Sequence, residues 1–238
     1  MILKILIIIP TLNEKNNVKK IYIKIKKLKN YTFDLLFIDD NSDDGTQEEI
    51  LSLSSKKNIH YLFRKRRGLG SAHRDGINWA IKKKYNFCVT IDADGAHNPI
   101  IIQKMFSIIK KNQTKVDIIN TNRFLKKNSL QGWSFLRIAL TKIRFILVKL
   151  FLNTSLDSSG GLRLYNLNSI KKKNFTYAKS NDYFYLIESL YYFEKLGFKI
   201  IEIPIQLKIR DYGSSKMKLF HVLQSLYLLL KLSFKKIN

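Results

Sequence analysis

Phe87-Cys-Val-Thr-Ile-Asp92-Ala-Asp94 is the stretch that decides the fold: a short apolar run of strand length that ends in two carboxylates. The same plan recurs on both sides of it. Lys4 to Pro10 is a β-branched run leading into Pro10-Thr-Leu-Asn-Glu14, and Phe33 to Asp39 leads into Asp39-Asp-Asn-Ser-Asp-Asp44. His60 to Phe63 is a third short run, and Asp117 to Asn122 a fifth that ends in Asn122-Arg123. Helical stretches separate them. The first reaches Leu28, and the second covers Thr46 to Leu53 with Asp43 or Asp44 as its cap. Leu69 to Lys84 follows, then Pro99 to Lys111 with proline in its first turn. Ala72, Gly76 and Ala80 recur every four residues, a spacing suited to close packing. Continuous apolar strands alternating with helices predict an α/β fold, a mostly parallel sheet flanked by helices on both faces. In such sheets a ligand sits beyond the carboxyl ends of the strands, so the polar strand ends point to one site.

Beyond residue 125 the rhythm changes. Trp133 to Leu152 predicts a long helix, followed by the turn Asp157-Ser-Ser-Gly-Gly-Leu-Arg163 and a short strand to Tyr165. Tyr183 to Leu196 is helical, Lys199 to Arg210 extended around Pro204, and Lys216 to Lys235 a last helix. The expected organisation is one catalytic domain over residues 1–215, including helix 133–152, and a C-terminal amphipathic helix over 216–238. On helix 133–152, Leu136, Leu140, Ile143, Leu147 and Leu150 form a face suited to packing on the protein. Ile138, Phe145 and Leu152 form a narrower stripe flanked by Arg137, Arg144, Lys142 and Lys149, suited to a membrane interface. The longest apolar run near the end, Leu219 to Leu230, holds His221 and Gln224 and falls short of the roughly 18–20 residues that span a bilayer.

The 238 residues are 45% hydrophobic, enough for a buried core, which excludes a disordered chain. The single cysteine, Cys88, excludes a disulfide scaffold and reads as a core residue compatible with a reducing compartment. The start, Met1-Ile-Leu-Lys4 to Pro10, reads as a buried strand rather than a leader. Lys and Arg outnumber Asp and Glu by 43 to 18, a net charge of +25 that attracts polyanions. The excess is mostly lysine, 34 against 9 arginines, beside 32 isoleucines, so A/T-rich codons account for part of it. An RNA-binding reading rests on charge alone. The aromatic residues sit in apolar helices and strands, without a stacking surface or a nucleic-acid module, so no nucleic-acid partner is expected.

Asp92 and Asp94, on a turn leaving a strand, can both reach one hard divalent cation; by themselves they also fit a solvated turn. An acid at Asp39-Asp40 can accept from a ribose hydroxyl or a base N–H, or belong to a helix-capping cluster. Asp157 and Glu188 are the remaining acids of interest. His60, His73 and His221 have no metal-like partners in sequence.

Together, Pro10-Thr-Leu-Asn-Glu14, Asp39 to Thr46, Gly68-Leu-Gly70 with Arg74 and Gly76, and Asp92-Ala-Asp94 resemble glycosyltransferase family 2 in order and spacing. Asn122-Arg123-Phe124, Asp157 to Tyr165, Gly197 through Glu202-Ile-Pro204 and Arg210-x-x-Gly213-x-Ser-Lys216 are similar to the dolichol- and polyprenyl-phosphate mannose synthases within it. The resemblance runs from about Ile7 to Lys216. It implies a GT-A-like, Rossmann-related nucleotide-sugar fold and a metal-dependent, inverting hexosyltransferase. Residues matching Pro10, Leu12, Glu14, Ile38 and Asp40 would hold base and ribose, and Ala93 would line the same donor site. Asp92 and Asp94 would hold Mg2+ or Mn2+ on the diphosphate, and Arg123, Arg210 and Lys216 would bind phosphates. The catalytic set is then Asp92, Asp94, Arg123 and Arg210. The family often adds a polar ligand two residues after the second acid, where this chain has Ala96; His97 follows without a defined role.

The implied donor is GDP-mannose or a UDP-hexose such as UDP-glucose. The implied acceptor is a polyprenyl or dolichyl phosphate at an anionic membrane surface, with peripheral attachment on the cytoplasmic face. Whether a separate membrane-anchoring subunit presents the acceptor stays open. Arg137 and Arg163 are candidates for the acceptor phosphate, each with an alternative as a surface residue. A lipid phosphate is already an anion at neutral pH, so the site needs positioning and charge more than a general base. The segment from Arg210 to Lys216, with Gly213 between two cations, is expected to close over the donor phosphates.

Overall fold

A computed structural model describes residues 3–111, 116–210, 212, 216 and 219–235. Gly213, the expected hinge, lies outside the described residues. Strands β1 (Ile5–Thr11), β2 (Asp34–Asp39), β3 (Ile59–Phe63), β4 (Phe87–Thr90), β5 (Ile118–Asn122), β6 (Arg163–Asn166) and β7 (Ile200–Pro204) form one seven-stranded sheet in the order β3-β2-β1-β4-β6-β5-β7. Every pairing is parallel except those of β6, which runs antiparallel between β4 and β5. The chain leaves β1 towards β2 and β3 on one side, and β4 lies on the other. The order therefore reverses at the β1/β4 boundary, and the crevice opens beyond the carboxyl ends there.

Pleat alternation sorts the core. Ile5, Ile7 and Ile9 of β1 join Leu35 and Phe37 beneath α1 (Lys15–Lys26), α2 (Thr46–Leu53) and α4 (Ile100–Lys111). Leu6 and Ile8 join Leu36, Ile38 and Cys88 on the opposite face, beneath α3 (Leu69–Lys82) and α6 (Phe184–Lys195). The expected close packing of α3 is present at Gly76, where a Cβ would stand 2.6 Å from Ile8 Cγ2 and 2.7 Å from Ile38 Cδ1. Ile38 is thus a core residue, completely buried against α3. Its place in β2 turns the side chain away from the crevice, which corrects its expected contact with base or ribose.

Arg163 requires the same kind of correction. Alternation along β6 puts it with Tyr165 on the α6 face, where it is 0% exposed. Its guanidinium donates to Asn120 Oδ1 at 3.1 Å, Ser158 O at 2.5 Å, Leu186 O at 2.8 Å and Ser189 Oγ at 3.1 Å. All of its charge-bearing nitrogens are used inside the core, so it does not face an acceptor phosphate.

Helices α5 (Phe135–Leu152) and α7 (Leu219–Ser233) pack on each other and on α6 through Val148, Leu152, Leu229, Leu232, Tyr191 and Tyr192. The orientation of α5 inverts the sequence expectation. Leu152 is 2% exposed, Ile138 is half-buried, and Phe145 is half-buried with its ring 4.2 Å from Phe124. Arg144 also turns inward, where burial pushes its guanidinium down to about 10, Arg123 adding to the effect. Leu136, Leu140 (58% exposed), Ile143 and Leu150 face outward instead; of that face only Leu147 is partly covered. Leu219, Phe220, Leu223 and Tyr227 of α7 are exposed as well. Among the described residues, no helix is long and apolar enough to cross a membrane.

Candidate active site

The strand ends converge as the sequence predicts. Pro10, Leu12, Glu14, Asp40, Ala93 and Lys216 line a cavity of about 600 Å3, whose wall also holds Asp92, Asp94 and Arg210. A second, smaller cavity of about 110 Å3 shares Asp92, Asp94 and Arg210 and is walled by Arg123, Arg137, Trp133 and His97. Of the residues expected at the site, only Ile38 and Arg163 fall elsewhere.

The acids of the second strand end serve as clamps. Asp40 Oδ1 accepts from Arg64 Nη2 at 2.5 Å and Nε at 2.8 Å, and its Oδ2 accepts from the Gly68 amide at 2.8 Å. Burial pushes the Asp40 carboxyl up, against the pull of Arg64. Asp39 accepts from Thr11, Ser42 and Gln47. Both acids thus hold the loops that shape the larger cavity, and Asp40 forms part of its wall. Glu14 is raised by burial, an effect that Asn17, Lys216 and Arg210 counter. Lys216 Nζ lies 4.0 Å from Glu14 Oε1 and donates to Asn13 O at 3.3 Å.

On the other side of the crevice, Arg123 is held rigidly. Its Nε and Nη2 donate to Asp157 at 2.8 and 2.6 Å, and Nη2 also reaches Ser159. Burial alone would raise the Asp157 carboxyl, but Arg123, followed by Arg144, holds it below the usual carboxylate range. Arg137, in the first turn of α5, lays its guanidinium 3.5 Å over the Trp133 ring. Glu188, the other acid of interest, accepts from the Lys179 and Ser180 amides and braces a loop.

Asp92 and Asp94 sit on the turn after β4. Asp94 Oδ1 accepts from the Ala96 amide at 3.0 Å, and Arg210 Nε lies 2.7 Å from its Oδ2. A Cβ at Gly161 would come within 2.9 Å of Asp92 Oδ1, so glycine there leaves the carboxylate its space. His97 joins the pair: one ligand atom each from Asp92, Asp94 and His97 lie within 4.8 Å of one another. His97 Nδ1 is buried without a hydrogen-bond partner among the described residues. Two carboxylates and an orphaned imidazole nitrogen fit a divalent cation.

Sequence reasoning left His97 without a role, although its place just beyond the paired acids was a signal. Tyr183 and His221, whose rings meet edge-on at 5.3 Å on the wall of the larger cavity, come from distant segments and carry no local signal.

The model of glycosyl transferase family 2 matches residues 6–172, which hold both acids, strands β2 to β6 and all of β1 but its first residue. The chain belongs to glycosyl transferase family 2. This family 2 glycosyltransferase is 26% identical over 226 residues to the polyprenol monophosphomannose synthase of Mycolicibacterium smegmatis, covering 93% of this chain and 84% of that one. It is 26% identical over 220 residues to the undecaprenyl-phosphate mannosyltransferase of Micrococcus luteus, covering 90% and 88%. With the dolichol-phosphate mannosyltransferase of Pyrococcus furiosus it shares 28% identity over 234 residues, 96% of this chain and 64% of that protein. Its fold is that of glucosyl-3-phosphoglycerate synthase from Mycobacterium tuberculosis, solved with Mn2+, uridine diphosphate and phosphoglyceric acid. The TM-score is 0.69 at 15% identity, over 99% of this chain and 80% of that one.

Proposed function

We propose that this enzyme moves a hexose, mannose from GDP-mannose, onto a polyprenyl or dolichyl phosphate at a membrane surface, with inversion at the anomeric carbon. One observation carries the reading. The two cavities meet at Asp92, Asp94 and Arg210, and the smaller one opens beside Arg137 on the helix whose outer face is apolar and exposed. The larger cavity suits a nucleoside diphosphate, with Glu14 and the Asp40 loop towards the nucleoside and Lys216 and Arg210 towards the phosphates. The smaller suits a phosphate monoester, held between Arg123 and Arg137.

The residues divide the work by charge. Asp92 and Asp94 would hold Mg2+ or Mn2+, which supplies charge stabilisation to the departing diphosphate. Arg210 Nε lies 2.7 Å from Asp94 Oδ2, and its guanidinium would also serve a phosphate oxygen of the donor. Arg123, fixed by Asp157, presents a preorganised cation that needs no reorganisation when charge develops. The acceptor phosphate is already a nucleophilic anion, so no side chain has to remove a proton. Attack from the arginine side, opposite the diphosphate, inverts the sugar. The outward residues of α5 and α7 would enter the acyl boundary, with net +25 drawing the protein to anionic lipid. In this reading residues 1–215 are the catalytic domain, and the helix within 216–238 adds membrane contact.

The test is transfer of labelled sugar to polyprenyl phosphate in anionic vesicles with Mn2+, comparing GDP-mannose with UDP-glucose. Labelled lipid formed from GDP-mannose is the expected product. Transfer from UDP-glucose alone would replace the donor, and transfer only to water-soluble acceptors would remove the membrane role.

A further inference from the structure

We propose that His97 Nδ1 is the third protein ligand of the cation held by Asp92 and Asp94, and that this nitrogen tunes the site to Mn2+ over Mg2+. The inference rests on the metal site proposed above and deepens it. After Asp94 the turn runs Gly95-Ala96-His97, and Ala96 has no side-chain ligand atom to offer. His97 is 5% exposed, yet its Nδ1 has no hydrogen-bond partner among the described residues. A buried nitrogen left unpaired is costly unless something absent from the protein itself satisfies it. The nearest charged atom is Asp92 Oδ2 at 3.5 Å. That is too long for a hydrogen bond. A divalent cation held by Asp92 and Asp94 would give this nitrogen the partner it lacks among the described residues.

The turn that carries the ring is also held. The Lys208 amide donates to Ala96 O at 3.2 Å, tying the turn to the segment after β7, and Ile205 and Leu207 line the same cavity. The backbone that carries His97 is therefore tied to the sheet. Two carboxylates and one imidazole form a mixed donor set. Mg2+ keeps to oxygen ligands and water, whereas Mn2+, the first of the transition metals that bind imidazole in rising order, gains more from a nitrogen in the shell.

The decisive measurement is pulsed electron paramagnetic resonance of Mn2+ bound to the full chain with GDP, the protein carrying histidine at natural abundance or labelled with 15N. The expected result is a directly coupled 14N signal that converts to 15N on histidine labelling. This reading needs only the wild-type chain. In parallel, His97→Ala should weaken Mn2+ binding by about tenfold or more and Mg2+ binding by far less, so that the preference collapses. His97→Gln, which offers an oxygen, should move the preference towards Mg2+. Bound Mn2+ with no histidine nitrogen coupling, or an unchanged Mn2+/Mg2+ ratio in a folded His97→Ala protein, would overturn the role of His97 and leave the carboxylate site standing. A wild-type chain that binds no Mn2+ with either GDP or UDP would overturn the metal site itself, and this inference with it.

Discussion

The crevice and the α5/α7 face are opposite solutions to the placing of side chains. At the crevice, polar groups are buried and tied: Asp40 to Arg64, Arg123 to Asp157, Asp94 to Arg210. On the outer face of α5 and α7, apolar groups are exposed: Leu136, Leu150, Leu219 and Phe220 are each more than half open to solvent. Buried charge is costly unless it is paired, as it is in the crevice, and an exposed apolar face is stabilised only when something covers it. The crevice selects by geometry and charge, and the face selects only by apolarity.

The largest effect that sharpens this contrast lies in the crevice. Asp94→Asn removes the charge opposite Arg210 and one proposed metal ligand, and should lower turnover by about 100-fold or more while the protein still melts cooperatively. Near-wild-type turnover at limiting Mn2+ would break the assignment. The two sides of α5 give the next test. Leu152→Ala, on the buried side, should cost about 2–5 kcal/mol of stability, read from urea unfolding. Changing Leu140, Ile143 and Leu150 to serine, on the open side, should leave stability within about 1 kcal/mol. It should reduce flotation with anionic vesicles by about tenfold. Equal vesicle binding before and after that triple change would show that the open face is not the membrane contact.

The smallest effect concerns a group that belongs to neither region. His73 is fully buried, both ring nitrogens lack partners among the described residues, and burial pushes its pKa down to about 3, with Arg163 and Arg64 adding to the effect. The unfolded chain takes up a proton on this residue below about pH 6.5, and the folded one does not. The stability it lends is therefore full above pH 6.5 and is lost as pH falls from there towards 3, by roughly 1 kcal/mol per pH unit. The raised carboxyls of Glu14 and Asp40 slope the other way in acid, so the informative quantity is a difference. Between pH 7 and 5, a folded His73→Phe protein should lose less stability than wild type in urea titrations. Identical slopes would mean that His73 finds a proton partner in the fold.

The contrast also explains what the sequence could tell. Strand ends are legible because a parallel sheet leaves little freedom: an apolar run fixes the strand, and whatever follows it must emerge at the carboxyl edge. The strand ends that carry Pro10 to Glu14, Asp39 to Asp44, Asp92 and Asp94, and Asn122-Arg123 were legible that way, and residues of each line the two cavities. Within a strand, the pleat decides the face, and a run apolar on both sides hides that choice: Ile38, which the family resemblance put at base and ribose, packs against α3, and Arg163 turns towards α6. Helix α5 has two apolar stripes, and which one faces inward depends on α6 and α7, far along the chain. The face of Leu136, Leu140, Ile143, Leu147 and Leu150 was expected against the protein, and all of it but Leu147 is exposed. Gly213, Ser214 and Ser215, where a closing loop was expected, lie outside the described residues, while Arg210 and Lys216 on either side border the larger cavity.

Arg163 has a consequence for how the molecule opens. One guanidinium joins β5, the 157–161 turn and α6, and a charge that loses any of these partners is stranded in an apolar interior. Those segments cannot loosen one at a time without leaving that charge unpaired, so they open together or not at all. Their amides should exchange with solvent deuterium as a single slow class. The turn that holds Gly161 against Asp92 would share that protection, and the floor of the crevice would breathe only as often as the middle of the sheet does.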